Sequence, residues 1–105
     1  MSRSEKIAAY IGFSVKAGKI VYGYEGVIAS RKRLYLLLAD RLLSDNSLKK
    51  VQRYAESKGI KLYQIEGLPE YFGGKTVKCI GLAEEHLASA TESELLKLSE
   101  VGTDE

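Results

Sequence analysis

LYLLLAD, residues 34–40, is a continuous apolar run closed by a carboxylate. Its length suits a strand, and its lack of alternation leaves neither face to water. Such a strand belongs in a sheet covered on both sides. We place a strand over Leu34–Ala39 and read outward from it. Downstream, Ser44 or Asp45 caps a helix with Leu48, Val51, Tyr54 and Ala55 on one face, and Lys58-Gly59 closes it with a glycine C-cap. LYQI, Leu62–Ile65, is the next strand. Gly67-Leu68-Pro69 opens a short helix, proline being favoured in a first turn, and Gly73-Gly74 ends it. TVKCIGLA, Thr76–Ala83, is a further strand. Glu84–Ala90 forms a helix, and Thr91-Glu92-Ser93-Glu94 has the pattern of a capping box ahead of a separate last helix.

Upstream, Ser2 or Ser4 caps a first helix that runs to about Ala17, with Ile7, Ala8, Ile11 and Val15 at helical spacing. Gly18 stops it. Ile20-Val21-Tyr22 is short and β-prone, and Gly23 to about Arg31 is a second, short helix. Helix and strand therefore alternate, which predicts a three-layer α/β/α sandwich around a mixed four-stranded sheet. Residues 1–91 form the domain, and residues 92–105 form a short, partly helical acidic extension.

The 105 residues suffice for one compact domain. No apolar run approaches the ~18 residues of a membrane helix, and the N-terminus lacks a signal-peptide core. The lone Cys79 excludes an internal disulfide framework and fits a reducing compartment, so a cytoplasmic location is expected. The net charge of +2 hides an asymmetry. Residues 1–61 carry 13 Lys and Arg against 5 Asp and Glu, a net +8, whereas residues 92–105 carry one Lys and five acids, a net −4. A basic body with an acidic tail points to a polyanionic partner.

Catalytic equipment is sparse. His86, the single histidine, sits on a helix with no cysteine or aspartate at metal spacing. Cys79 lies mid-strand, where a thiol acts as a small hydrophobe. Glu84-Glu85 lie in a helix's first turn and complement its dipole. Lys16, Gly18, Lys19 and Gly23 do not spell a nucleotide-binding P-loop, nor does GYEG match a dinucleotide fingerprint. The stretch AGKIVYGYEGVIASRKR, residues 17–33, nonetheless sets flexible backbone beside two clusters of cations. A helix start at Gly23–Val27 presents backbone N–H groups that suit an anionic backbone or base edges. Gly23 and Gly26, without Cβ atoms, would let a ligand approach closely. Lys19 and Arg31-Lys32-Arg33 would supply phosphate contacts. Tyr22 is read as packing inward. Tyr24 is left open between packing and stacking on a base. Lys49, Lys50 and Arg53 form a solvated helix face.

The order and spacing of these segments resemble the ribosomal L-seven-Ae / L-thirty-e superfamily, and within it the bacterial YlxQ-like branch. The resemblance is carried by Tyr10, Ile11, Gly12, Ala17, Gly18, Lys19, Ile20, Val21, Gly23 and Glu25. It continues through Leu34–Asp40, then Ser44, Asn46, Ser47, Lys49 and Lys50, and on to Gly59–Ile65 and Leu68–Lys75. It covers roughly residues 4–90. It implies an α/β/α sandwich that binds structured RNA, typically kink-turns or related internal loops, on ribosomes or in other ribonucleoproteins. It also implies a monomer without catalysis or cofactor, with ribosomal or translation proteins as further partners. A second family contact is the loop before the last strand, here Lys75, Val77 and Lys78, with Val77 offering apolar atoms to flipped-out nucleotides.

The chain also departs from the family. Kink-turn binders present Asn-Glu where this chain has Glu25-Gly26, and Lys where it has Ala29. A carboxylate at Glu25 cannot donate hydrogen bonds and repels phosphate. The chain is also shorter than its relatives between Ser30 and Leu34, which predicts a shortened second helix and a basic cluster drawn toward the glycines. A protein-interaction or regulatory module on the same fold is the alternative reading.

Overall fold

A computed structural model describes residues 3–72 and 76–101. The elements follow in the order α1 (Arg3–Lys16), β1 (Ile20–Tyr22), α2 (Tyr24–Ala29), β2 (Leu36–Asp40), α3 (Asp45–Lys58), β3 (Lys61–Ile65), a 3-10 helix (Leu68–Phe72), β4 (Cys79–Leu82) and α4 (Glu85–Val101). The four strands form one mixed sheet in the order β1-β4-β2-β3. β2 runs parallel to β3, and β4 is antiparallel to both β1 and β2. Helices cover both faces, giving the α/β/α sandwich.

Strand β2 is buried at every position. Because side chains alternate along a strand, its residues divide between two cores. Leu36 and Leu38 join Ile7 and Ile11 of α1, Leu68, Ile80, Leu82 and Ala88 of α4. Leu37 and Ala39 join Val27 of α2, Val51 and Ala55 of α3, Leu34, Leu43 and Cys79. Gly81 makes room for this second layer: a Cβ there would come within 2.7 Å of Leu34 Cδ1.

Asp40 ends β2 with a carboxylate only 2% exposed. One oxygen accepts the Leu42 N–H (2.8 Å) and the other the Leu68 N–H (2.9 Å). The loop into α3 and the start of the 3-10 helix are thus held by one side chain. Ser44 caps α3 by accepting the Ser47 N–H, and Gly59 closes it in the left-handed region at φ 68°.

Several boundaries differ from the sequence expectation. Of the two expected caps of α1, Ser4 lies inside the helix and Ser2 outside the described residues. α2 stops at Ala29, two residues early, because Ser30 is extended and its Oγ accepts the Lys32 N–H (3.1 Å). β2 begins at Leu36 and β4 is confined to Cys79–Leu82, since a ladder extends only as far as its neighbours. Gly73-Gly74, expected to end the short helix, lies outside the described residues.

The largest correction concerns the end of the chain. No capping box forms at Thr91. Its hydroxyl donates to the Leu87 carbonyl (2.7 Å), a bond made inside a helix, and Thr91 is fully buried. Ala88, Thr91 and Leu95 fall on one stripe, and α4 continues through it to pack along α1. The expected boundary between residues 91 and 92 therefore falls inside a helix. Glu92 is tied to the sheet as well, accepting the Tyr63 hydroxyl of β3 (2.7 Å).

Replacing Asp40 with alanine leaves the buried Leu68 N–H without its acceptor. We expect a loss of roughly 2–4 kcal/mol, read from urea unfolding. The bond to Glu92, with burial second, raises the Tyr63 phenol from its ordinary value of 10.0 to about 12. Folding therefore favours the neutral phenol, a contribution intact below pH 10 and lost as pH climbs toward 12. Tyr63→Phe should make stability fall less steeply across that window than it does in the parent, as followed by thermal unfolding at stepped alkaline pH.

Candidate nucleic-acid interface

β1 runs out at Gly23, whose φ of 78° and ψ of 150° lie in a region that essentially only glycine occupies. Its N–H donates to the Cys79 carbonyl at the start of β4 (2.7 Å), and its carbonyl accepts the Val27 N–H (2.9 Å), the first bond of α2. The N–H groups of Tyr24, Glu25 and Gly26 precede that bond, and no side chain caps the helix. A Cβ on Gly23 would meet nothing within 4 Å, so the space above it is open.

The bond from Gly23 to Cys79 brings the second expected contact, the loop before β4, against the first. Lys78 is exposed there, with its carbonyl accepting the Asp40 N–H (2.8 Å). Val77 is half-buried against the core beneath. Two aromatic residues complete the corner. Tyr22 is 45% exposed, and its ring stands edge-on to Phe72 with centroids 5.5 Å apart. Lys50 of α3 reaches over from the side, its ammonium 5.9 Å from the centre of the Tyr24 ring.

The expected site residues do not all meet. The register pairs Ile20 with Leu82 and Tyr22 with Ile80, so Gly23 and Lys78 share one end of the sheet. Lys19 sits at the other end, where its carbonyl accepts the Ala83 N–H (2.9 Å). Arg31, Lys32 and Arg33 are at that far end too: the Lys32 ammonium donates to the Gly18 carbonyl (2.9 Å), and the Tyr35 N–H donates to Leu82 (2.8 Å). The cause is geometric. A six-residue helix is about 9 Å long, enough to carry the chain back along a three-residue strand of about 10 Å. The shortened helix thus takes the basic cluster away from Gly23, contrary to expectation. Lys75 lies outside the described residues.

Tyr22 reverses its expected role, and the open reading of Tyr24 resolves to packing. Tyr24 packs against the core of the α2/α3 layer, while Tyr22 faces outward. Gly26 also serves a different purpose, because its missing Cβ would lie 3.3 Å from Val21 Cγ1. Its hydrogen faces the sheet, where it lets α2 settle on β1 and gives a ligand no access. Glu25 is exposed in the first turn of α2. Sequence reading missed Tyr22, Phe72 and Lys50. Phe72 and Lys50 come from separate elements, and only Tyr22 was adjacent to the recognised glycine.

Burial pushes the Cys79 thiol up to about 12, so it stays protonated at neutral pH. Glu84 caps α4 by accepting the Leu87 N–H (2.6 Å). That bond, chiefly, holds its carboxylate below the usual range, and Lys19 adds to the effect. His86 is exposed. Among the described residues no group of three or more His, Cys, Asp or Glu is placed to hold a metal ion, and no helix is long and apolar enough to cross a membrane.

The fold defines an α/β/α sandwich domain with an open glycine corner at one end of its sheet. A solved Bacillus halodurans protein of unknown function shares this fold: TM-score 0.77 at 15% identity, over 85% of this chain and 95% of the other. No protein-family model matches the chain, and no curated protein matches it either.

Gly23→Ala would force an L-residue into the same backbone state. We expect a cost of roughly 1–3 kcal/mol, read as a lower midpoint in thermal unfolding.

Proposed function

We propose that this protein is a non-catalytic, cytoplasmic RNA-binding protein of the ribosomal L-seven-Ae / L-thirty-e type. In this reading it recognises structured RNA, ribosomal RNA being the leading class, through an internal loop seated at the Gly23 corner. The observation that carries the proposal is the 2.7 Å bond from the Gly23 N–H to the Cys79 carbonyl. It joins an uncapped helix start to the loop bearing Lys78, so N–H donors and a cation border one open end of the sheet, with the exposed Tyr22 ring next to Gly23 in the chain. An internal loop offers what such a surface takes: phosphates for the cation, acceptor edges for the amides and unstacked bases for an aromatic ring. Glu25 works against phosphate at this spot, which favours base edges over backbone next to the helix start.

A protein-interaction module is the alternative. It draws on Leu42, 77% exposed beside an apolar recess that includes Gly67 and Pro69. One titration separates the two readings. Labelled RNAs containing an internal loop, and a plain duplex of equal length, are bound at two salt concentrations. RNA recognition predicts preference for the looped RNA. It also predicts that Lys78→Ala weakens binding several-fold and lowers the salt slope by about 1. Equal affinity for loop and duplex, with no effect of Lys78→Ala, would refute it.

A further inference from the structure

The far end of the sheet holds the basic residues that the Gly23 corner does not use. They line a cleft of ≈ 410 Å³ between the α2–β2 connection and the end of α3. Arg31, Lys32, Arg33 and Lys58 surround it, with Tyr35 and Tyr54 in its wall and no acid among the lining residues. Glu56 faces the adjoining groove that shares Gly59 and Ile60. None of the four cations has a carboxylate partner among the described residues.

We propose that this cleft is a second binding site, one for single-stranded nucleic acid. Four like charges around one hollow repel one another, and packing does not require them, since Arg31, Lys32, Arg33 and Lys58 are all exposed. The arrangement is also held in place. Ser30 Oγ accepts the Lys32 N–H (3.1 Å), and the Lys32 ammonium is anchored on the Gly18 carbonyl (2.9 Å). The Arg33 guanidinium lies 5.1 Å from the centre of the Tyr35 ring. This cation–π contact leaves the guanidinium charged while restricting its motion. Arg31 and Lys58 stand on opposite walls, one on the α2–β2 connection and the other at the end of α3. A strand of phosphates passing between them would meet a cation on each side, with tyrosine rings alongside. Tyr35 and Tyr54 are half-buried against the two core layers and line the wall with what remains exposed. Cations spaced along such a wall, with aromatic surface between them, suit the phosphates and bases of a nucleic acid better than an acidic peptide, which has no bases. The cleft lies across the sheet from the Gly23 corner, and the inference does not depend on what that corner binds.

The test uses the full chain and a fluorescein-labelled oligouridylate of about eight nucleotides, a length within the usual span of single-strand sites. Binding is followed by anisotropy across a salt series. The double variant Arg31→Gln/Lys58→Gln should bind about ten-fold or more weakly. Two lost phosphate contacts should also lower its salt slope by about 1.4. Lys49→Gln, an exposed position on α3 outside the cleft, should leave oligouridylate binding nearly unchanged. Circular dichroism and thermal unfolding confirm that the exposed substitutions leave the fold intact. The proposal is overturned if the double variant binds like the parent, if the parent does not bind, or if Lys49→Gln weakens binding as much as the double variant. Displacement of the oligomer by ATP or by polyglutamate at equal concentration also overturns it, pointing to a mononucleotide pocket or an acidic protein partner.

Discussion

Leu36 and Leu38 turn toward one layer of helices, and Leu37 and Ala39 toward the other. A strand so placed has no wet face, so each backbone group along it needs a partner in the protein. β3 and β4 supply those partners on either side. The difficulty arises where the strand ends and its neighbours diverge. Asp40 resolves it by taking the N–H groups of Leu42 and Leu68 on its two carboxylate oxygens while its own N–H reaches Lys78. The loop into α3 and the 3-10 helix are fixed by that buried side chain, and the approach to β4 by the backbone of the same residue. The Gly23 corner is built on the same end of the sheet, so its geometry inherits the rigidity of the Asp40 node.

The register also sorts the charges. β1 is three residues long and α2 folds straight back along it, so residues close in sequence end up at opposite ends of the sheet. Lys78 and Lys50 come to the glycine corner from the loop before β4 and from α3, whereas Arg31–Arg33, Lys58 and Lys19 gather at the far end. The cations of residues 17–33 thus all leave Gly23 for the far end, and the cations at the glycine corner come from other parts of the chain. Each end has an aromatic neighbour: Tyr22 with Phe72 at one, Tyr35 with Tyr54 at the other.

Features governed by neighbours in sequence were legible. Ser44 and Gly59 bound α3 as their capping chemistry requires, and the apolar run through residues 36–39 is the doubly buried strand. Gly23 stood out for its missing Cβ beside cations, and the structure adds a backbone state that essentially only glycine adopts. Errors arose where a local signal met a tertiary demand. Thr91-Glu92-Ser93-Glu94 has the composition of a helix start, but packing along α1 rewards an unbroken helix, and the Thr91 hydroxyl turns back to Leu87. Tyr22 reads as inward but faces outward, and Tyr24 stays open until its packing is seen, because a three-residue strand gives alternation too little length to reveal which face is inside.

The amino-acid sequence by itself determined the layers of this protein, through an unbroken apolar run, a hydrophobic period of 3.6 residues and the side chains that start and stop helices. It also determined the excess of positive charge in the first 61 residues. Only the tertiary structure decided which cations stand together and which tyrosine faces water. Those outcomes depend on strand order and register, set by contacts between residues far apart in the chain, and no short stretch of residues encodes them.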